Sequence, residues 1–187
     1  MGNAIYDAIP PDVAEFIAEQ PMFFVATSPL SRDGRINLSP KGADSFRVLS
    51  PSLVCYLDIT GSGNETSAHL TENGRITFMF CSFAKAPSIV RLYGIGTTIL
   101  RDSPDWSELR GHFDEYPAVR QIILAEITRV QTSCGFGVPL MDYKGQREAM
   151  PRWAATLSDT KLVEYWEKKN VRSIDGLPAA LARRTRR

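Results

Sequence analysis

Long apolar runs are missing from this chain. No stretch comes near the roughly 18 consecutive apolar residues of a membrane-spanning helix, and the first residues carry neither the basic start nor the apolar core of a secretory signal. A cytoplasmic protein with no membrane association is expected. Histidine and cysteine are scarce. His69 and His112 lie apart from any cysteine pair, and neither Cys-x-x-Cys nor His-Glu-x-x-His occurs, so no metal site is expected. Cys55, Cys81 and Cys134 are odd in number, widely spaced and set in apolar or glycine-rich surroundings. They read as buried thiols in a reducing compartment, not as a disulfide framework. Two familiar phosphate motifs are also absent. A dinucleotide fingerprint needs a third glycine where Thr66 stands, and a P-loop needs Gly-Lys-Ser/Thr to close the loop. No nucleophile with a nearby partnered base can be picked out.

What is present suits one well-buried domain: 187 residues, 43% hydrophobic and 23% charged. The net charge of +1 hides an asymmetry. Up to Leu140 there are 11 basic and 15 acidic residues, and from Met141 onward 11 basic and 6 acidic, so the parts carry −4 and +5. Opposite charges favour packing of the tail on the body, within one chain or between chains. Residues 1–140 are expected to form the main domain and 141–187 a helical extension packed on it or on a partner.

The chain centres on the stretch from Asp58 to Arg75. Strand-like Leu53–Leu57 precedes it and Ile76–Phe80 follows, while 64–73 suits a short helix with Leu70 inward. Gly61 and Gly63 permit positive φ and close approach, and the loop leads to a helix start whose free N–H groups favour phosphate. The same groups would serve a plain turn capped by Ser62 or Asn64.

Along the rest of the chain, Asp12 and Glu15 have capping-box spacing before a short amphipathic helix over 11–19, which would plug a barrel end. Met22–Thr27 and Arg35–Ser39 form a hairpin, and Pro40 interrupts its second strand, placing it at an edge or bulge. Lys41 follows, able to reach a phosphate or to remain solvated. Phe46 and Val48 mark a third strand. Ile89–Leu100 is a long strand with a bulge or close approach at Gly94 and Gly96. Ser103 as cap and Pro104 at the first position predict a helix over 104–114, and Gln121–Val130 is the last strand. Short turns between strands favour a small antiparallel barrel over a parallel α/β sheet. In the extension, Pro151 starts one helix and Leu162, Tyr165 and Trp166 lie on another that ends near Asn170. Arg183, Arg184, Arg186 and Arg187 make a basic tail. Four arginines give non-specific attraction at most, so nucleic acid is not an expected partner.

Taken together, Arg35-Ile-Asn-Leu-Ser-Pro-Lys-Gly42, Asp44-Ser-Phe-Arg-Val48, Thr60-Gly-Ser-Gly-Asn-Glu-Thr66, His69-Leu, Glu72-Asn-Gly-Arg-Ile76 and Arg91-Leu-Tyr-Gly94 resemble the pyridoxamine 5′-phosphate oxidase-like family, and more closely an uncharacterised branch of it. The likeness covers roughly residues 20–135, with Ser133–Pro139 also similar. It implies a mainly β fold with added helices, a split β-barrel homodimer binding FMN in clefts at the subunit interface. A deazaflavin would suit the same cleft. The family's well-studied oxidases carry Arg-x-x-Leu-x-Lys on one strand and Ser-Arg-Lys before the helix. Here Ile36 replaces the arginine, Lys41 keeps the lysine and Asn64-Glu65-Thr66 replaces the basic pair. Charge would then come from Lys41 or Arg75, with loop N–H groups, Ser62, Asn64 and Thr66 substituting in part. The substrate motif that follows Phe-Trp in those oxidases is also absent, since Tyr165-Trp166 leads into Glu-Lys-Lys-Asn170.

The expected cofactor-binding residues are thus Asn37, Ser39, Lys41, Asp58, Thr60, Ser62, Gly63, Asn64, Glu65, Thr66 and Arg75. The expected activity is FMN-dependent oxidoreduction with a small-molecule substrate or electron donor. The competing expectation is a non-catalytic binder of a flavin, deazaflavin or other phosphorylated small molecule. A homodimer is expected because a split barrel leaves strand edges and an apolar cleft uncovered, and because Trp153 and Trp166 fall on amphipathic faces.

Overall fold

The computed structural model describes residues 2–182; the arginine tail lies outside them. Strand β1 (Ala4–Tyr6) precedes helix α1 (Pro11–Glu19), the hairpin β2 (Phe23–Thr27) and β3 (Asn37–Lys41), then β4 (Phe46–Ser50), β5 (Leu53–Ile59) and helix α2 (Glu65–Glu72). Strands β6 (Arg75–Cys81) and β7 (Ile89–Ile99), the single turn α3 (Trp106–Arg110) and β8 (Val119–Ser133) complete the sheet. Helices α4 (Ala149–Ala154) and α5 (Asp159–Lys169) make up the extension. Every strand pairing is antiparallel.

The hydrogen-bonded path runs β3-β2-β6-β7-β8-β5-β4, with β1 added alongside β8. Its two end strands, β3 and β4, are not paired to each other, so the curled sheet is a barrel with a split. Fifteen-residue β8 makes this possible, because its first part pairs with both β5 and β7 and its last part with β7 and β1. The sheet bends at Gly94, where the β7–β8 register shifts; a Cβ there would sit 2.1 Å from the Glu126 carbonyl oxygen, so only glycine fits.

Alternation along the strands sorts the side chains. Val54 and Tyr56 on β5, Ile76, Phe78 and Phe80 on β6, and Ile123 and Ala125 on β8 fill the barrel. Its aromatic heart has Phe46 4.9 Å from Phe80 and 5.0 Å from Phe23, both edge-on. Val13 and Ile17 of α1 close this end. The opposite side of β5 and β8 presents Cys55, Leu57 and Ile122, covered by Leu109 and Phe113.

Several local expectations are corrected. Helix α1 starts from Pro10 with Pro11 inside its first turn and no side-chain cap, so Asp12 and Glu15 form no capping box. The helix expected over 104–114 shrinks to five residues, because Ser103 uses its hydroxyl to accept from the Leu100 N–H instead of capping a helix. Strand β3 runs through Pro40, which pairs with Phe24; as an end strand it tolerates the missing N–H, and its pairing with β2 has no bulge. Cys134 is exposed, whereas Cys55 and Cys81 are buried. Trp166 is buried within this chain, and half-buried Trp153 packs at 5.4 Å on Tyr165. None of this disturbs the architecture, which is the mainly antiparallel split barrel expected.

Candidate functional site

The register that fills the barrel with apolar side chains also builds the site. On β5 and β8 the cross-strand pairs Val54–Ala125 and Tyr56–Ile123 face inward, and the next pair in the same row is Asp58–Gln121. A carboxylate is therefore carried into the barrel end by strand parity alone. Asp58 is completely buried and accepts from Lys41 Nζ at 2.9 Å, Arg120 Nε at 2.9 Å and Gln121 Nε2 at 2.6 Å. Burial pushes its pKa up, but Arg120 and then Lys41 outweigh this and hold the carboxyl well below the ordinary range. The Lys41 contact crosses the split, tying end strand β3 to β5.

Above this ionic floor lies the glycine loop. Arg120 also donates to the Gly63 carbonyl at 2.6 Å. Asn64 is buried and caps nothing: its amide nitrogen donates to the Asn170 carbonyl at 2.8 Å and its oxygen accepts from Gln121 at 2.7 Å. Ser62 does not cap either, so no side chain satisfies the first turn of α2, whose N–H groups have no intrahelical acceptor. Gly61 and Gly63 are not in the positive-φ region, contrary to expectation. The room at Gly61 is real, however, since an added Cβ would meet nothing within 4 Å.

A cleft of about 620 Å³ opens here, in the size range of small-molecule sites. One wall is the inward-alternating side of β3, with Asn37, Ser39 and Lys41; the floor is Ile59, Gly61, Ser62 and Gly63; α2 contributes Glu65 and Thr66. Asn37 is fixed by donating to Thr66 Oγ1 at 3.1 Å and to Thr27 Oγ1 at 3.3 Å. The structure thus brings seven of the eleven expected residues to one cavity. Asp58, Thr60 and Asn64 lie beneath it as supports and not as lining. Arg75 is elsewhere: it is exposed, bonds to Asn73 and borders a separate depression beside Ile36 and Tyr93.

Residues that sequence reasoning missed complete the cleft. Arg120 comes from β8, and Lys169, Arg172, Ser173 and Ile174 from the end of α5 and the segment after it. This segment is tied to the loop by direct bonds. Trp166 Nε1 donates to Thr60 Oγ1 at 2.7 Å, Asn170 Nδ2 donates to the Gly61 carbonyl at 3.1 Å, and the Ile174 N–H donates to the Glu65 carboxylate at 3.0 Å. Gln121 was detectable by its parity with Ile123 and Ala125; nothing in the sequence placed residues 169–174 against residue 61. His69 is buried with Nδ1 2.9 Å from Thr27 Oγ1. Burial lowers its pKa.

The arrangement gathers polar and cationic side chains around one cavity and, among the described residues, offers no partnered nucleophile. Among the described residues no helix is long and apolar enough to cross a membrane.

Comparison with known proteins agrees with the architecture. The family model described as pyridoxamine 5′-phosphate oxidase matches residues 9–134. The pyridoxamine 5′-phosphate oxidase family protein ustO of Aspergillus flavus is 41% identical over 190 residues, covering 92% of this chain and 76% of its own. Among solved structures, a candidate pyridoxamine 5′-phosphate oxidase of Lactobacillus delbrueckii superposes with a TM-score of 0.54 at 17% identity, over 70% of this chain and 98% of that one. HupZ of Group A Streptococcus gives 0.52 at 18% identity, over 65% and 91%. At such identities the two structures speak for the fold alone.

Proposed function

The chain belongs to the pyridoxamine 5′-phosphate oxidase family, and from that premise we propose that it is an oxidoreductase that binds FMN in the cleft between β3, the glycine loop and α2. The carrying observation is the convergence of Asn37, Ser39, Lys41, Ser62, Gly63, Glu65 and Thr66 on one cavity beside an uncapped helix start. The residues suit a flavin phosphate: free N–H groups, the three hydroxyls of Ser39, Ser62 and Thr66, and open space above Gly61 lie together. A bound flavin would supply reversible electron acceptance, which needs no side-chain triad.

The chain's own contribution is positioning. Asp58 stays ionised and holds Lys41 and Arg120 in place; it is not a proton donor near neutral pH. Asn37, fixed through its Nδ2, keeps its carbonyl oxygen available along the β3 wall. A deazaflavin satisfies the same phosphate logic. The absorbance spectrum of purified protein, before and after adding each flavin, tests the reading. A folded protein that takes up neither removes it.

One observation favours a non-catalytic binder. The buried carboxylate at the site, Asp58, is locked by three donors and, despite its burial, is held well below the ordinary carboxylate range by Arg120 and Lys41. Reduction of bound flavin by NADH or NADPH followed by reoxidation with an added acceptor supports the oxidoreductase; binding without reduction supports the binder.

We also propose a cytoplasmic homodimer. The outer side of the β3–β2–β6 sheet presents Leu38, 65% exposed, beside Ile36, 75% exposed, with Pro40 cross-strand to Phe24 and Phe24 to Met79. An apolar end strand of this kind is usually covered. A monomer by light scattering at micromolar concentration would remove the proposal.

A further inference from the structure

We infer that Lys169 and Arg172 form a clamp selecting ligands that carry a phosphate monoester, so that the extension beyond residue 141, and not the glycine loop, supplies the charge that reads the ligand. The inference rests on the cleft being the ligand site.

The cations around the cleft divide into two kinds. Lys41 and Arg120 are committed to Asp58, each at 2.9 Å, and Arg120 in addition to the Gly63 carbonyl. Together they neutralise the buried carboxylate and keep one surplus charge, but the donors that would bond a ligand are already engaged with Asp58 and the loop. Lys169 makes no hydrogen bond or ion pair among the described residues, and Arg172 spends one nitrogen on the Gly176 carbonyl, leaving other guanidinium donors. Both are exposed at the mouth. Glu65, the carboxylate that lines the cleft with them, accepts from the Ile174 N–H. Four cations against Asp58 and Glu65 leave two positive charges unneutralised, which matches a phosphate monoester of about −1.5 to −2 at neutral pH.

Their position is not left to a flexible tail. Asn170, fully buried between them in sequence, accepts from Asn64 and donates to Gly61, so the backbone next to Lys169 is pinned to the loop that would cradle the phosphate. Asn170 Oδ1 and Gln121 Oε1 are buried under the loop without a partner, so this polar layer has acceptor capacity left for a ligand or water donor. The family model ends at residue 134, before either clamp residue.

Affinities for FMN, riboflavin, pyridoxal 5′-phosphate and pyridoxal are to be measured by calorimetry on the full chain. The proteins compared are wild type, K169A/R172A, the charge-keeping K169R and the control K168A, which removes one charge from the neighbouring position outside the cleft. Wild type should favour the phosphorylated member of a pair by about tenfold or more. The double variant should reduce that preference to about threefold or less, while K168A and K169R retain it. The same loss seen for the pyridoxal pair with no flavin bound would uphold the clamp and end the flavin reading. A preference that persists in a double variant melting like wild type, or no preference in wild type for either pair, overturns the clamp even if flavin binds. Should the double variant melt low, K169Q/R172Q, which keeps side-chain length, takes its place under the same criteria.

Discussion

At one end of the barrel the interior is aromatic and at the other it is ionic, yet on β5 a single residue separates Tyr56 from Asp58. Both are completely buried. Around Tyr56 and Phe78 the contacts are edge-on packing of rings, in which a side chain of similar volume can take another's place at modest cost. Around Asp58 three donors converge, and each is engaged because the carboxylate is there. Equal burial therefore hides unequal tolerance: the aromatic end answers to volume, the ionic end to completeness.

The largest expected effect comes from removing what covers the ionic end. Truncation after Leu140 strips Trp166 from Thr60, Asn170 from Gly61 and Asn64, and Leu162 and Leu181 from Ala118. Size-exclusion chromatography should show aggregated or unstable protein; a soluble barrel with a cooperative melt would show that the ionic end stands alone.

A sharper version compares substitutions that preserve shape. Asp58→Asn leaves Arg120 buried without its counter-charge and should cost about 3 kcal/mol or more in urea unfolding. Leu92→Met, in the equally buried apolar interior, should cost less than about 1.5 kcal/mol. Equal losses would erase the distinction between the two ends.

Acid should find the same difference. The folded Asp58 carboxyl titrates below its unfolded value because of Arg120 and Lys41, despite burial. Its contribution is present above the unfolded pKa of about 3.9 and is lost as pH falls from there through the folded value. Denaturation midpoints followed from pH 6 downward should fall more steeply for wild type than for Asp58→Asn. Parallel curves would mean that other groups carry the acid limb. A smaller effect is expected for Trp166→Phe, which keeps an aromatic ring in place but loses the N–H donated to Thr60. About 0.5–1.5 kcal/mol should appear as a melting-temperature drop of a few degrees, roughly 2–4 °C per kcal/mol at this size.

The strands were legible because alternation reports which face is buried: Ile76, Phe78 and Phe80 could only be one inward row. Gly94 was legible for the same reason, being the gap in a strand pattern where another backbone passes. Asp58 was recognised as a site residue but not as a buried ion-pair centre, because Lys41 and Arg120 lie 17 and 62 residues away. The cap weighed at Asn64 is absent because its side chain is drawn to Asn170 and Gln121, and the one at Ser103 because its hydroxyl accepts locally from the Leu100 N–H.

By itself the sequence determined a small antiparallel barrel, its strands along the chain and the helix after the glycine loop through periodicity and local turn chemistry, while the split and most of one cleft wall were what the family resemblance implied. Only the tertiary structure decided where charge goes in that cleft. Lys41 was drawn onto Asp58, Arg75 was carried to another face, and Lys169 and Arg172 arrived from more than a hundred residues beyond the loop. The physical reason is that a buried carboxylate must be neutralised before a solvated site can be, and which cation does so depends on proximity in space.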